Sequence, residues 1–378
     1  MKYYIIAGEA SGDLHGSNLI KELKRLDDQA IIRCWGGYLM KKEGGQLVKH
    51  YQDLAFMGFT EVLKNLKTIL NNLKFSKKDI LKFKPDAVIL IDYPGFNLRI
   101  AKWAREQGIK VVYYISPQVW AWKENRVKKM KQCIDKMLVI LPFEKEYYQN
   151  KWNWGVEYVG HPLVETIDKY KQEARQKHNP DVLKTNIIAL LPGSRKQEIV
   201  KKLPIMLEAS KLFSQYHFIV AKAPGVDENF YNELLRPYPN VSYVSGKTYD
   251  LLLQARAALV TSGTATLETA LFGVPQVVCY KGNALSYQIA RRLVKIKFIS
   301  LVNLIMEKEV IKELIQNDLT VANLQSELNE LLHNPARVLQ IREDYNQLKI
   351  KLRKEGNASA NAALSIHIFL KETTGLLN

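Results

Sequence analysis

Apolar, β-branched runs punctuated by turn residues recur along the chain, each followed by a stretch whose apolar positions step at helical spacing. In the first half they are KYYIIA, AIIRCWG, DAVILIDYPGFN, KVVYYISP and KMLVILP. The second half repeats the rhythm as NIIALLPGSR, HFIVAKAPG, VSYVSG, AALVTSGTATLE and PQVVCYKG. Runs without polar alternation suit strands buried on both faces, and strands alternating with helices close into parallel sheets. The pattern therefore predicts an α/β protein with two Rossmann-like parallel-sheet domains. The charged stretch from Asp168 to Thr185, broken by Pro180, is the expected linker. A first domain over 1–165, a second domain over 185–334 and C-terminal helices over 335–378 follow. Within that tail Val338, Ile341, Tyr345, Leu348 and Leu352 step by three and four, predicting an amphipathic helix over 335–354.

Ligands of parallel sheets bind beyond the carboxyl ends of the strands. Two such sheets facing one another predict a central cleft lined by the turns, one substrate to each domain. Composition narrows the rest. The 378 residues carry a net charge of +17, which draws a protein toward nucleic acid, anionic membrane or phosphorylated small molecules, or reflects solvated lysines. Neither a run of about 20 apolar residues nor a cleavable leader is evident, so a cytoplasmic location is expected. Cys34, Cys133 and Cys279 lack ligand spacing and read as buried apolar residues. Phe59, Val62, Leu63, Leu66, Ile69, Leu70 and Leu73, preceded by Phe56 and Met57, form an apolar stripe flanked by Lys64, Lys67, Lys74, Lys77 and Lys78. A helix lying in an anionic membrane surface has this pattern, and so has a core helix beneath a sheet. The basic run at 290–297 carries the same two readings.

Four turns carry candidate chemistry. In LLPGSRKQE, Gly193 and Ser194 expose amides beside Arg195 at the head of a helix, a cradle for a diphosphate or a plain Gly-Ser turn. In TSGTATLE, Ser262, Gly263 and Thr264 offer donors and Glu268 an acceptor for ribose hydroxyls, while Thr264 and Glu268 also serve as a helix cap. In ILIDYPGFN, Asp92 follows an apolar strand, where burial raises a carboxyl toward the range of a general base. The alternative for Asp92 is a turn-stabilising role. In AGEASGD, Glu9 and Asp13 bring carboxylates to the head of a helix where phosphate is usually welcomed. Carboxylates and small residues suit a hydroxyl-rich sugar, which assigns a sugar acceptor to the first domain and a nucleotide to the second.

The ordered set GEASGD, IDYPGFN, YYISPQVWAW, LPFE, VGHPL, LLPGSRKQE, SGTATLE and ISLVNLI resembles the lipid-A-disaccharide synthases, GT-B glycosyltransferases, over essentially the whole chain. The resemblance implies inverting transfer of 2,3-diacylglucosamine from UDP-2,3-diacylglucosamine to the 6-hydroxyl of 2,3-diacylglucosamine 1-phosphate. It implies catalytic roles for Asp92 and Arg195 and a UDP-sugar site of Gly193, Ser194, Arg195, Ser262, Gly263, Thr264, Glu268 and Asn303. Glu9, Ser11, Asp13 and Asn97 become acceptor contacts, and the apolar stripe an acyl and membrane contact. It further implies no cofactor and no metal, in keeping with the lack of an Asp-x-Asp pair at a strand end. A peripheral place on the cytoplasmic face of the inner membrane is implied, with C-terminal helices that pack back on the first domain or swap within a homodimer.

Two positions depart from the family pattern. Gly95 stands where a second aspartate is common, so that carboxylate cannot be a universal base, and Val302 stands where proline is frequent. The nearest rivals are another GT-B enzyme of a UDP-amino sugar, a transferase of peptidoglycan precursor synthesis or an epimerase, and a basic binding protein without catalysis. No cluster of interleaved aromatic and basic residues supports nucleic acid as a partner.

Overall fold

The computed structural model describes residues 1–53, 66–177, 186–283, 287 and 297–374. The chain divides into two compact units, one of Met1–Pro162 with Leu352–Asn378 and one of Leu163–Lys351. Of the expected linker, residues 168–177 belong to the helix Pro162–Lys177, and residues 178–185, Pro180 among them, lie outside the described residues. The second boundary between the units falls between Lys351 and Leu352, at the end of the helix Pro335–Leu352.

The first unit holds β1 (Lys2–Ala7), β2 (Ile31–Gly36), β3 (Gln46–His50), β4 (Ala87–Ile91), β5 (Lys110–Tyr114), β6 (Lys136–Val139) and β7 (Glu157–Tyr158). They form one sheet in the order β3-β2-β1-β4-β5-β6-β7, parallel at every pairing. Alternate residues of β1 serve opposite faces: Tyr4 and Ile6 join one core cluster, Tyr3, Ile5 and Ala7 the other. The helix Leu66–Phe83 is tied to the sheet through Asp79, which accepts from Arg33 Nε at 2.8 Å and from the Tyr4 hydroxyl at 2.7 Å. The helix Ala358–Thr374 completes this unit, placing Ala362, Ala363, Ile366 and Leu370 in one cluster with Leu19, Ile20 and Leu23 of the helix Ala10–Leu26. Ser365 Oγ donates to Glu157 at 2.6 Å and Asn361 Nδ2 to the Val159 carbonyl at 3.1 Å, fastening the tail to the end of the sheet.

The second unit holds β8 (Ile187–Leu191), β9 (His217–Lys222), β10 (Val241–Ser245), β11 (Ala257–Thr261), β12 (Gln276–Tyr280) and β13 (Glu313–Ile315). Its order is β10-β9-β8-β11-β12-β13, again parallel throughout. Ile341, Tyr345 and Leu348 are buried along the helix Pro335–Leu352, as their spacing requires. Strands β3, β7 and β13 have no counterpart among the apolar runs of the sequence. They are edge strands, short or only half-buried, and lack the continuous apolar stretch of a central strand.

Candidate active site

Each sheet reverses its winding once, where β1 neighbours β4 and where β8 neighbours β11. At such a reversal the loops leaving two adjacent strands turn to opposite faces and open a crevice at their carboxyl ends. The four motif turns sit at these two places.

In the second unit Gly193, after β8, adopts φ +125°, and a Cβ there would stand 2.5 Å from Glu198 Oε2. Arg195 is the extended N-cap of the helix Lys196–Ser210. After β11, Gly263 at φ +144° is the N-cap of the helix Thr264–Phe272. Both helix heads open on one cavity of about 400 Å³, lined by Gly193, Ser194, Arg195, Glu198, Lys222, Thr261, Ser262, Gly263, Thr264 and Glu268 among others. First-turn amides and the positive ends of two helix dipoles favour an anion there, and Arg195 adds its charge, while Lys222 at the wall is paired with Glu228 Oε1 at 2.7 Å. The Glu268 carboxyl is raised by burial, opposed by the bond it accepts from the Tyr249 hydroxyl at 2.9 Å. Ser262 Oγ donates to the Ile299 carbonyl at 2.8 Å, which fixes its rotamer at the cavity wall. Behind that wall Lys202, 3% exposed, donates to Thr261 Oγ1.

Asn303 is not part of this cavity. It is fully buried, its Nδ2 donating to the Ile311 carbonyl and Glu313 Oε1 and its Oδ1 accepting from the amides of Val310 and Ile311. Four hydrogen bonds exhaust the amide, so its place is in the scaffold ahead of β13.

In the first unit Asp92 and Tyr93 follow β4 at φ 44° and 48°, both left-handed without being glycine. Their strain is held by three main-chain bonds: Asp92 N–H donates to the Tyr114 carbonyl at 3.1 Å, and the Asp92 carbonyl accepts from Asn97 Nδ2 at 2.8 Å and the Tyr113 hydroxyl at 2.6 Å. None of these uses the carboxylate. Burial, and secondarily the charge of Glu9, raise the Asp92 carboxyl from 3.8 to about 6, against a bond from the Tyr93 amide. The Tyr93 ring explains the first glycine of GEASGD, because a Cβ on Gly8 would fall 2.3 Å from it. Glu144 of the LPFE motif is fully buried nearby, accepting from Leu141 N–H at 3.0 Å and the Trp120 indole at 3.2 Å. Burial raises its carboxyl to about 8, with a lesser contribution from Asp92.

Of the expected acceptor contacts, Glu9 is half-buried and Ser11 exposed at the head of Ala10–Leu26. Asp13 and the Nδ2 of Asn97 are engaged with backbone. The Asp13 carboxylate, 4% exposed, accepts from the amides of Gly37, Leu39 and Met40 and so caps the helix Tyr38–Lys42. Asn97 is fully buried, and its Nδ2 clamps the ends of β1 and β4 through the carbonyls of Ile6 and Ile91. Of the apolar stripe, Phe56, Met57, Phe59 and Leu63 lie outside the described residues, as does the side chain of Leu66. Leu73 is buried in the core and Ile69 packs against it, whereas Leu70 is 48% exposed. The basic run at 290–297 lies outside the described residues except for Lys297. Sequence reasoning missed Lys202, whose spacing of four from Glu198 places both on the helix face below the PGSR turn. Thr261, Lys222 and Glu144 gave no signal beyond their places at strand ends and helix heads.

Among solved structures, a UDP-GlcNAc 2-epimerase from Neisseria meningitidis bound to UDP-GlcNAc is similar with a TM-score of 0.67 at 14% identity, covering 98% of this chain and 100% of that one. The glycotransferase of kitacinnamycin is similar with a TM-score of 0.67 at 15% identity, over 98% and 99%. These likenesses are of fold, and with the paired switch points they define a GT-B architecture. A family model described as lipid-A-disaccharide synthetase matches residues 3–368. Curated lipid-A-disaccharide synthases of Syntrophus aciditrophicus (39% identical, 97% of both chains) and Coxiella burnetii (38%, 96% of this chain and 97% of the relative) agree with it. The chain belongs to the lipid-A-disaccharide synthetase family, glycosyltransferases of lipid A biosynthesis.

Proposed function

We infer that the protein transfers 2,3-diacylglucosamine from UDP-2,3-diacylglucosamine to the 6-hydroxyl of 2,3-diacylglucosamine 1-phosphate, with inversion. In this reaction the acceptor oxygen attacks the anomeric carbon from the face opposite UDP, and a β-1,6 linkage forms. The bond from that carbon to the diphosphate oxygen breaks, its electron pair leaving with UDP. The hydroxyl proton passes to Asp92, whose raised carboxyl is ionised near neutral pH and still basic enough to accept it. Arg195, Lys222 and the amides at Gly193–Arg195 and Thr264 oppose the charge that develops on the diphosphate, while Glu268 takes ribose hydroxyls. Glu9 and Ser11 remain as acceptor contacts. The observation that carries this reading is the cavity of the second unit, where two helix heads and Arg195 line a space of about 400 Å³. A UDP-sugar in a structural neighbour of this fold supports the donor class.

Both substrates carry acyl chains, and access to them assigns the protein to the cytoplasmic surface of the inner membrane. No helix among the described residues is long and apolar enough to cross a membrane. Leu70, Phe75 and Leu81, each 48% exposed on the helix Leu66–Phe83, with Lys67, Lys74 and Lys78 exposed beside them, support docking on an anionic leaflet. A homodimer that exchanges residues 358–374 would reuse the contact that this helix makes with Ala10–Leu26. The test is incubation of purified protein in detergent, with and without EDTA, with both lipid substrates, comparing wild type with Asp92→Ala and Arg195→Ala. Disaccharide and UDP are expected from wild type alone, undiminished by EDTA. Turnover of UDP-N-acetylglucosamine without disaccharide would replace this function with that of an epimerase or a peptidoglycan-type transferase.

A further inference from the structure

Lys202 stands on the helix Lys196–Ser210, which the PGSR turn opens, and is 3% exposed. A buried ammonium is costly unless an opposite charge meets it. Here the paired carboxylate, Glu198 Oε2, is 3.9 Å away, beyond hydrogen-bond reach, and itself 39% exposed at the cavity wall. The short bond of Lys202 goes to a neutral atom, Thr261 Oγ1. Burial accordingly pushes the Lys202 ammonium toward losing its proton, opposed mainly by Glu198. Cys279, packed beside it from β12, is a fully buried thiol raised by burial to about 12 and is neutral.

The geometry of Thr261 gives this charge a direction. Its hydroxyl accepts from Lys202, so the one proton it owns is left to donate, and Thr261 lines the cavity. We propose that Lys202 is a positioning residue for a diphosphate in the second unit's cavity, acting through the Thr261 hydroxyl, which it polarises and aims at a phosphoryl oxygen. The bound anion then adds to the counter-charge that Glu198, 3.9 Å away, supplies to the buried ammonium. Polarised hydrogen-bond chains in a low-dielectric setting strengthen one another, so the contribution falls on phosphate and leaves the nucleoside untouched. This rests on the cavity being an anion site as inferred above.

The test compares wild type, Lys202→Met and Thr261→Val by calorimetric titration with UDP, uridine and inorganic pyrophosphate, and by thermal unfolding without ligand. The expected result is a loss of about tenfold or more in UDP affinity in both variants, with uridine affinity unchanged. Unliganded Lys202→Met should melt no lower than wild type, because a buried charge whose carboxylate partner stands 3.9 Å off, beyond hydrogen-bond reach, has been replaced by an apolar chain. An unchanged ratio of UDP to uridine affinity in both variants overturns the proposal and makes Lys202 a strut between helix and sheet. If wild type binds no UDP, the donor assignment fails on its own. Pyrophosphate then decides the present question: binding that Lys202→Met weakens supports it, and binding that is absent or indifferent to the substitution overturns it. Should Lys202→Met not fold, Thr261→Val carries the same comparison.

Discussion

The loops after β1 and β4 and the loops after β8 and β11 occupy the same station in two sheets wound in the same order, yet they are built from opposite materials. The second unit uses glycine at φ +125° and +144°, so that bare backbone amides and the hydroxyls beside them face the cavity. The first holds Asp92 and Tyr93 at φ 44° and 48° with side chains attached, and the backbone carries the strain. Where main-chain donors do the binding, glycine frees them. Where the proposed reaction calls on one carboxylate, its backbone is forced into place, and neighbours such as Tyr113 and Asn97 hold it there. Topology fixes where a ligand goes, and local sequence decides what that ligand is.

The sharpest way to break this comparison is to remove the charge from the strained side. Asp92→Asn should lower the rate of disaccharide formation by about 10²–10⁴-fold. In wild type the rate should rise with pH through about 6 as the carboxyl ionises. Stability should run the other way. A carboxyl raised from 3.8 to about 6 contributes stability that is full below its unfolded value and is lost as pH rises through the folded one. Asp92→Asn, which cannot ionise, should therefore melt no lower than wild type at pH 7. A flat pH–rate profile between 5 and 7 would remove Asp92 as the base.

A second substitution separates scaffold from site within the second unit. Asn303→Ala leaves the amides of Val310 and Ile311 without their acceptor and should cost on the order of 3 kcal/mol by denaturant titration, with UDP affinity of the folded protein retained. A selective loss of UDP affinity would return Asn303 to the binding site. Smaller in effect, Gly8→Ala sets a methyl against the Tyr93 ring and should destabilise by about 1–3 kcal/mol while lowering turnover, since Tyr93 adjoins Asp92. Unchanged turnover would show that the ring does not position the carboxylate. Smallest is Gly95→Asp, which meets open space in the first turn of the helix Pro94–Glu106 and should gain about 0.3–1 kcal/mol from the helix dipole.

The central strands were legible because burial on both faces writes an unbroken apolar run, and the donor turns because glycine and hydroxyl residues follow such runs directly. Edge strands β3, β7 and β13 leave no such trace. Asp13 and Asn97 illustrate the limit for sites: both stand in motif segments and both are polar, but a sequence does not say whether a polar group faces ligand or its own backbone. Here Gly37, Leu39 and Met40 claim the one, and Ile6, Ile91 and Asp92 the other. Lys202 fails in the reverse sense, since a lysine among lysines reads as surface until its burial is known.

The return of the tail to the first unit sets an order of events during synthesis. The apolar face of Ala10–Leu26 emerges before the second unit, but the helix Ala358–Thr374 that covers it is made only after that unit. The second unit ends at Lys351, so its sheet can close while the earlier-made unit still awaits its final helix. A nascent chain stalled before residue 358 therefore carries a finished second unit and an uncovered apolar face on the first, a substrate for chaperones or for the tail of another copy.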